Sequence, residues 1–162
     1  MDAGRGCAWW AAGVQPFYAH ASHGESSLIP QWGGQVASSR TQVPVTTLDA
    51  QIASFGVPNY CKIDVEGFEE EVLSGLTKPL PVVSFEFHLN EEGVRRARAC
   101  LTRLSRFASP IAEVNVTAAE TAQFYFSGWR ALREFTEWFP GDLRQSLPGN
   151  PYGDIYVRTA RV

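Results

Sequence analysis

No stretch of this chain approaches the roughly 20 consecutive apolar residues needed to cross a bilayer, and Met1 is followed by Asp2 and glycines instead of a basic, then apolar, leader. Neither a membrane span nor a membrane partner is expected, and the cytoplasm is the expected location. Cysteine is scarce: Cys7, Cys61 and Cys100 are an odd set at wide spacing, with no C-x-x-C pair and no neighbouring histidine. No zinc or other metal site is expected, and the thiols read as buried structural groups. Charge of one sign is lacking too, since a formal net charge of -3 gives no support to nucleic acid or an anionic surface as partner. Histidines number 3, of which His20 and His23 lie in a polar stretch; His88, ending an apolar run, has a position that suits chemistry. No internal repeat or low-complexity tract is present.

What is there fits one globular domain: 162 residues, 44% apolar and 19% charged, have the mass for a real core. Residues 1–40 are weakly patterned, with many glycines, scattered aromatics and one extended candidate from Val14 to Ala19. From Thr46 onward the pattern is clear. Thr47 caps a helix whose Leu48, Ile52 and Phe55 recur at helical spacing, and Gly56 with Pro58 ends it. A strand from Tyr60 to Val65 follows. Glu69, Glu70 and Glu71 then occupy a first helical turn, where carboxylates suit the positive end of the dipole, and Phe68, Val72, Leu73 and Leu76 supply the buried face.

The nearly unbroken apolar run from Val82 to Phe87 predicts a strand covered on both faces, and Asn90 caps a long helix with a stripe of Val94, Ala97, Leu101 and Leu104. Arg95, Arg96, Arg98, Arg103 and Arg106 lie outside that stripe and read as a solvated face in preference to a phosphate-binding patch. Downstream, Ala112, Val114 and Val116 alternate with polar residues as in a half-exposed strand, and Gln123 to Phe126 offers an extended run that can pair with it antiparallel. Ser127 is placed to cap a helix carrying Trp129, Leu132, Phe135 and Phe139; a last strand runs from Asp154 to Arg158. The alternation predicts an α/β fold with right-handed crossovers, a mostly parallel sheet and one antiparallel carboxyl-terminal strand.

Lys62-Ile63-Asp64-Val65-Glu66-Gly67 reads as a strand opening into a helix, the kind of junction where open α/β sheets place ligands. Asp64 and Glu66 lie two apart, so an extended backbone points both carboxylates to one side, and Gly67 lets the chain turn or a ligand approach. They suit a catalytic or binding pair, or else helix caps and solvated loop charges. Glu86, between Phe85 and Phe87, faces a site or pairs internally, because leaving it buried and unpaired is costly. His88 is a general base with a pKa close to neutral or a surface loop residue.

Three stretches together, Val45-Thr46-Thr47-Leu48-Asp49, Lys62 to Gly67 and Glu69 with Val72-Leu73-Ser74-Gly75, resemble the core signature of the FkbM-type methyltransferases. Glu86 and His88 resemble that family's E-x-H strand ending, and Ser26-Ser27-Leu28 is similar to its upstream serine-rich segment. The resemblance implies a Rossmann-like fold that binds S-adenosylmethionine and methylates a hydroxyl of a sugar, polyketide or other natural product. It implies Asp64 and His88 as catalytic, Glu66 and Glu86 as acceptor-binding, Asp64 and Gly67 as cofactor-binding, and a small-molecule or glycan acceptor as partner.

The family's glycine-rich donor turn has no counterpart at the expected distance. Asp2-Ala3-Gly4-Arg5-Gly6 reads as a coincidental cluster, because about sixty residues before the acidic pair are too few for the intervening strand-helix units of on the order of 30 residues each. The expected organisation is a partial fold from the fourth strand onward: an amino-terminal remnant, residues 1–40, and the carboxyl-terminal part of the methyltransferase domain, residues 41–162. An unpaired sheet edge then invites association. A non-catalytic remnant or interaction module is the alternative; a carboxylate-pair hydrolase using Asp64 and Glu66 comes behind both.

Overall fold

The computed structural model describes residues 12–20, 26–32, 35–107, 109–119, 121–147 and 152–159; the Asp2 to Gly6 cluster, His23 and Cys7 lie outside them. Four strands come first: β1 (Gly13–Ala19), β2 (Gln31–Trp32), β3 (Gln35–Val36) and β4 (Ser39–Val45). β1 pairs antiparallel with β4 along its whole length, from Gly13 against Val45 to Ala19 against Ser39, and β2 with β3 forms a short second ribbon. The division between residues 40 and 41 falls inside β4.

Helix α1 (Leu48–Phe55) starts as its sequence predicts, with Thr47 accepting a hydrogen bond from the Ala50 N–H at 3.1 Å. Gly56, at φ 88°, closes it by donating to the Ile52 carbonyl. None of its residues is buried. Leu48 and Ile52 pack half-buried against the core, and Asp49 ties the helix down further: its carboxylate accepts from the Thr77 N–H at 3.0 Å and the Thr77 hydroxyl at 2.5 Å. The Thr77 bonds hold the Asp49 pKa below the ordinary carboxylate value. In the T-L-D stretch, the threonine and the aspartate thus have local structural work.

Next come β5 (Cys61–Ile63), α2 (Glu69–Ser74), β6 (Val82–His88) and α3 (Glu91–Ser105), then β7 (Glu113–Ala118), β8 (Arg130–Ala131), α4 (Leu132–Trp138), α5 (Leu143–Ser146) and β9 (Tyr152–Arg158). The five-strand sheet has the order β5-β6-β9-β7-β8. It is mixed, which corrects the expectation of a mostly parallel sheet: β5 with β6 is the parallel pairing, while β6 with β9, β9 with β7 and β7 with β8 are antiparallel. The reason is that β9 inserts between β6 and β7, a long-range placement that local alternation does not reveal. No described strand pairs with the outer edge of β5.

Phe85, Phe87, Val83, Ile155, Val157, Val114 and Val116 point from one face of this sheet into the core, where they meet Leu101 and Leu104 of α3 and Phe135 of α4. The Gln123 to Phe126 run makes one isolated antiparallel bridge, Thr117 to Phe124, instead of a strand. Helix α4 begins three residues after the Trp129 that was assigned to it: Ala131 is its N-cap, and Ser127 does not cap it. The N-terminus of α4 follows directly on β8, and the Leu132 N–H bonds the Ala112 carbonyl at 2.9 Å.

The arginine face of α3 is solvated only in part: Arg95, Arg98 and Arg106 are exposed, Arg96 and Arg103 are half-buried, and several of them bond other elements. Arg98 donates to the Phe139 carbonyl at 3.0 and 2.6 Å; Arg103 donates to the Leu73 carbonyl and, at 2.6 Å, to that of Ser74. The last turn of a helix leaves carbonyls without intrahelical partners, and α2 has no basic residue of its own there, so Arg103 satisfies that end from the neighbouring helix. Arg95 alone of these pairs mainly at the surface, with Glu92 and Glu70.

Candidate active site

The parallel strands β5 and β6 end side by side. After Ile63 the chain leaves the sheet; Glu66 lies in the left-handed region at φ 51° and Gly67 at φ 93°. Asp64 and Glu66 therefore come together through a tight turn, and not through the pleat of an extended strand. A non-glycine residue in that region costs about 1–2 kcal/mol, so the turn needs outside support, and three side chains give it. Buried Glu69 accepts from the Val65 N–H at 3.3 Å and the Gly67 N–H at 3.2 Å through one carboxylate oxygen. Arg96 donates to the Gly67 carbonyl. The Ser27 hydroxyl, arriving with the amino-terminal ribbons, donates to the Glu66 carbonyl at 2.8 Å.

So held, Asp64, Glu66 and Glu86 each present a carboxylate oxygen, and these oxygens lie within 4.8 Å of one another. They are close enough to share a cation. Lys62, on the same face as Asp64 through the two-residue period, reaches Asp64 at 3.5 Å and also contacts Asp154 of β9. Burial works against its ammonium, but the bonds and charges of Asp154 and Asp64 outweigh it, and the Lys62 pKa is raised.

Glu86 meets the His88 Nε2 at 3.2 Å. Chiefly through that hydrogen bond, and against burial, the His88 pKa is raised above 6.5. The carboxylates of Glu69 and Glu66 add to it. Burial raises the Glu69 pKa despite its backbone donors. The position of His88 is fixed by the start of α3: Asn90 accepts from the Gly93 N–H at 2.7 Å, and a Cβ on Gly93 would stand 2.5 Å from the His88 carbonyl oxygen. Glycine alone lets the helix begin so close to the strand end. A cavity of about 200 Å³ opens here, lined by Gly67, Glu69, Glu86, His88, Asn90 and Arg96.

The structure thus brings Asp64, Glu66, Gly67, Glu86 and His88 to one place. The residues that support them, Glu69, Arg96, Ser27 and Asp154, were not assigned to the site from the sequence. The Ser26-Ser27-Leu28 resemblance was the one advance signal for Ser27; the others act across contacts that no local pattern encodes.

Three carboxylates and a histidine at the carboxyl ends of two adjacent parallel strands, in a mixed α/β fold, stand where open α/β sheets place their ligands. The profile of the methyltransferase FkbM domain matches residues 9–132, and the chain belongs to that family of methyltransferases. No curated protein and no solved structure matches it. Among the described residues no helix is long and apolar enough to cross a membrane.

Proposed function

We propose that this chain transfers a methyl group from S-adenosylmethionine to a hydroxyl of a sugar, polyketide or other small natural product, at the tips of β5 and β6. The observation that carries the proposal is the meeting of Asp64, Glu66 and Glu86 within 4.8 Å in a chain of this family. The donor set suits the cofactor in part. Its sulfonium and ammonium are cations, and Asp64 offers them a carboxylate beside the backbone of Gly67. When bound, the cofactor supplies a methyl group activated by a positive sulfur. Among the described residues no glycine-rich turn follows a strand to receive the nucleoside.

The residues divide the remaining work. Glu66 and Glu86 orient the acceptor hydroxyl, and its proton passes to His88 or Asp64 as the oxygen attacks. Glu86 stabilises the imidazolium that results, which is the direction in which it already shifts His88. Because a base must be unprotonated, the rate rises with pH through a value above 6.5. The test is transfer of labelled methyl to an acceptor panel. His88→Gln or Asp64→Asn should lower the rate by roughly 10²–10⁴-fold, the usual contribution of a positioned base; unchanged rates in both variants remove the assignment.

A second reading, a non-catalytic interaction module, draws on the outer edge of β5, which no described strand pairs, and on α1, of which no residue is fully buried. Edge association through β5 is its mode of action. Sedimentation that depends on concentration, together with no donor binding in any form of the chain, favours it over catalysis.

A further inference from the structure

The cavity beside the strand tips is unevenly charged, and both its size and its charge bear on what enters it. Phe87, Ala97 and Cys100 give it an apolar lining, while Glu69, Glu86, His88 and Arg96 supply the polar walls. At about 30 Å³ per water, its volume of about 200 Å³ equals that of roughly seven waters. One small ring fills it; a macrocycle or an extended chain does not fit.

The cations around it are already engaged. Arg96 donates to the Gly67 carbonyl and pairs with Glu92 at 2.9 Å, with Glu71 at 3.9 Å. One ammonium, that of Lys62, serves both Asp64 and Asp154, and His88, when protonated, is matched by Glu86. Glu69 is 5% exposed and has no ion pair among the described residues: backbone N–H groups hold it, and the charge of Glu86 that weighs on it has the same sign. Asp64, Glu69, Glu86 and Asp154 therefore outnumber Lys62 and His88. The amino end of α3 does not redress this, since Asn90 takes the Gly93 N–H and Glu91 and Glu92 occupy the first turn. In a partly closed cavity such an excess is screened less than at the open surface. It repels a carboxylate or phosphate and draws in a cation.

We infer that the acceptor is a hydroxylated amine of one-ring size, an amino sugar or an aminocyclitol, whose ammonium is drawn to the Glu69 and Glu86 wall while a hydroxyl lies toward His88. Uronates, phosphate esters and sulfated sugars are turned away by like charge, the usual means of rejecting a wrong partner. Calling this ligand an acceptor rests on the methyl-transfer proposal; the preference of the cavity for a small cation does not.

Saturation-transfer difference NMR on the intact chain at neutral pH tests it with glucosamine, glucose and glucuronate, which share a ring and differ in charge. Glucosamine should bind best, tighter than glucuronate by roughly tenfold or more, and added salt should narrow the gap. Glu86→Gln and Glu69→Gln keep the shape and an acceptor oxygen, and each should bring glucosamine down toward glucose. Circular dichroism checks that both variants fold; Glu86→Gln decides alone if the loss of Glu69 opens the turn. Glucuronate bound as well as glucosamine overturns the inference, as does no signal from glucosamine, or a preference for it that the folded variants leave unchanged. If the preference follows the carboxylates but labelled methyl reaches no hydroxylated amine, the cation-selective cavity stands and the methyl-transfer proposal fails.

Discussion

The two faces of the five-strand sheet are built from the same strands, alternating residue by residue, yet they answer to different demands. On one face Val83, Phe85, Phe87, Ile155 and Val157 are at most 1% exposed under α3 and α4. On the other, the same two strands place Ser84, Glu86, His88, Tyr152, Asp154, Tyr156 and Arg158, with Val82 the one aliphatic side chain among them. The first face holds the fold together by burial; the second holds charges and rings at defined spacing and depends on the first for its rigidity. Every group proposed for chemistry sits at the tip or on the side of the second.

That contrast is broken most directly by deleting a ring from each face. Phe85→Ala should cost about 3–5 kcal/mol, the usual range for a fully buried phenylalanine, while Tyr60→Ala, which removes a half-exposed ring but leaves the buried Ser84 hydroxyl without its partner, should cost about 1–3 kcal/mol. Denaturant unfolding measures both. Comparable losses would mean that the second face is also a packing surface.

A smaller effect separates the arginines of α3. Arg96→Ala removes the charge-assisted bond to the Gly67 carbonyl and should cost about 1.5–3 kcal/mol, with a loosened Asp64 to Gly67 turn. Arg95→Ala, at the surface, should fall within about 0.5 kcal/mol. Equal values in the same unfolding experiment would show that the turn does not lean on Arg96.

Smaller again is the pH dependence carried by His88. Its pKa is raised in the folded chain, so its stabilising share is full below the unfolded value of about 6.5 and is lost as pH rises through the folded value. The melting temperature of the wild type should fall relative to that of His88→Gln on going from below 6.5 to above the folded pKa. A constant difference across that window would mean that the Glu86 pair does not stabilise the protein.

Much of the α1 to α3 stretch was legible in the sequence because its signals are local. Thr47, Gly56 and Asn90 cap as their identities predict, and the apolar periods of α3 and β6 bury the residues they mark. The gathering of Asp64, Glu66, Glu86 and His88 was legible for the same reason, since each ends or follows a strand. What escaped depends on contacts far apart in the chain. Glu69 read as a dipole-matching carboxylate and proves to be the clamp of the turn; Arg96, Arg98 and Arg103 read as solvent-facing and prove to satisfy carbonyls of other elements. The insertion of β9 between β6 and β7 likewise follows from long-range pairing, and the left-handed Glu66 from supports on three separate elements.

The proposed site is tested most directly by calorimetric titration of S-adenosylmethionine into wild type and Asp64→Asn, in this chain and in one extended upstream through a glycine-rich turn. Heat should be seen with the extended wild type and weaken by roughly tenfold or more, about 1.4 kcal/mol, in the extended Asp64→Asn. Equal affinity in the two extended forms would contradict a donor site at the β5 tip, and no heat in any form would leave the chain an interaction module of its family.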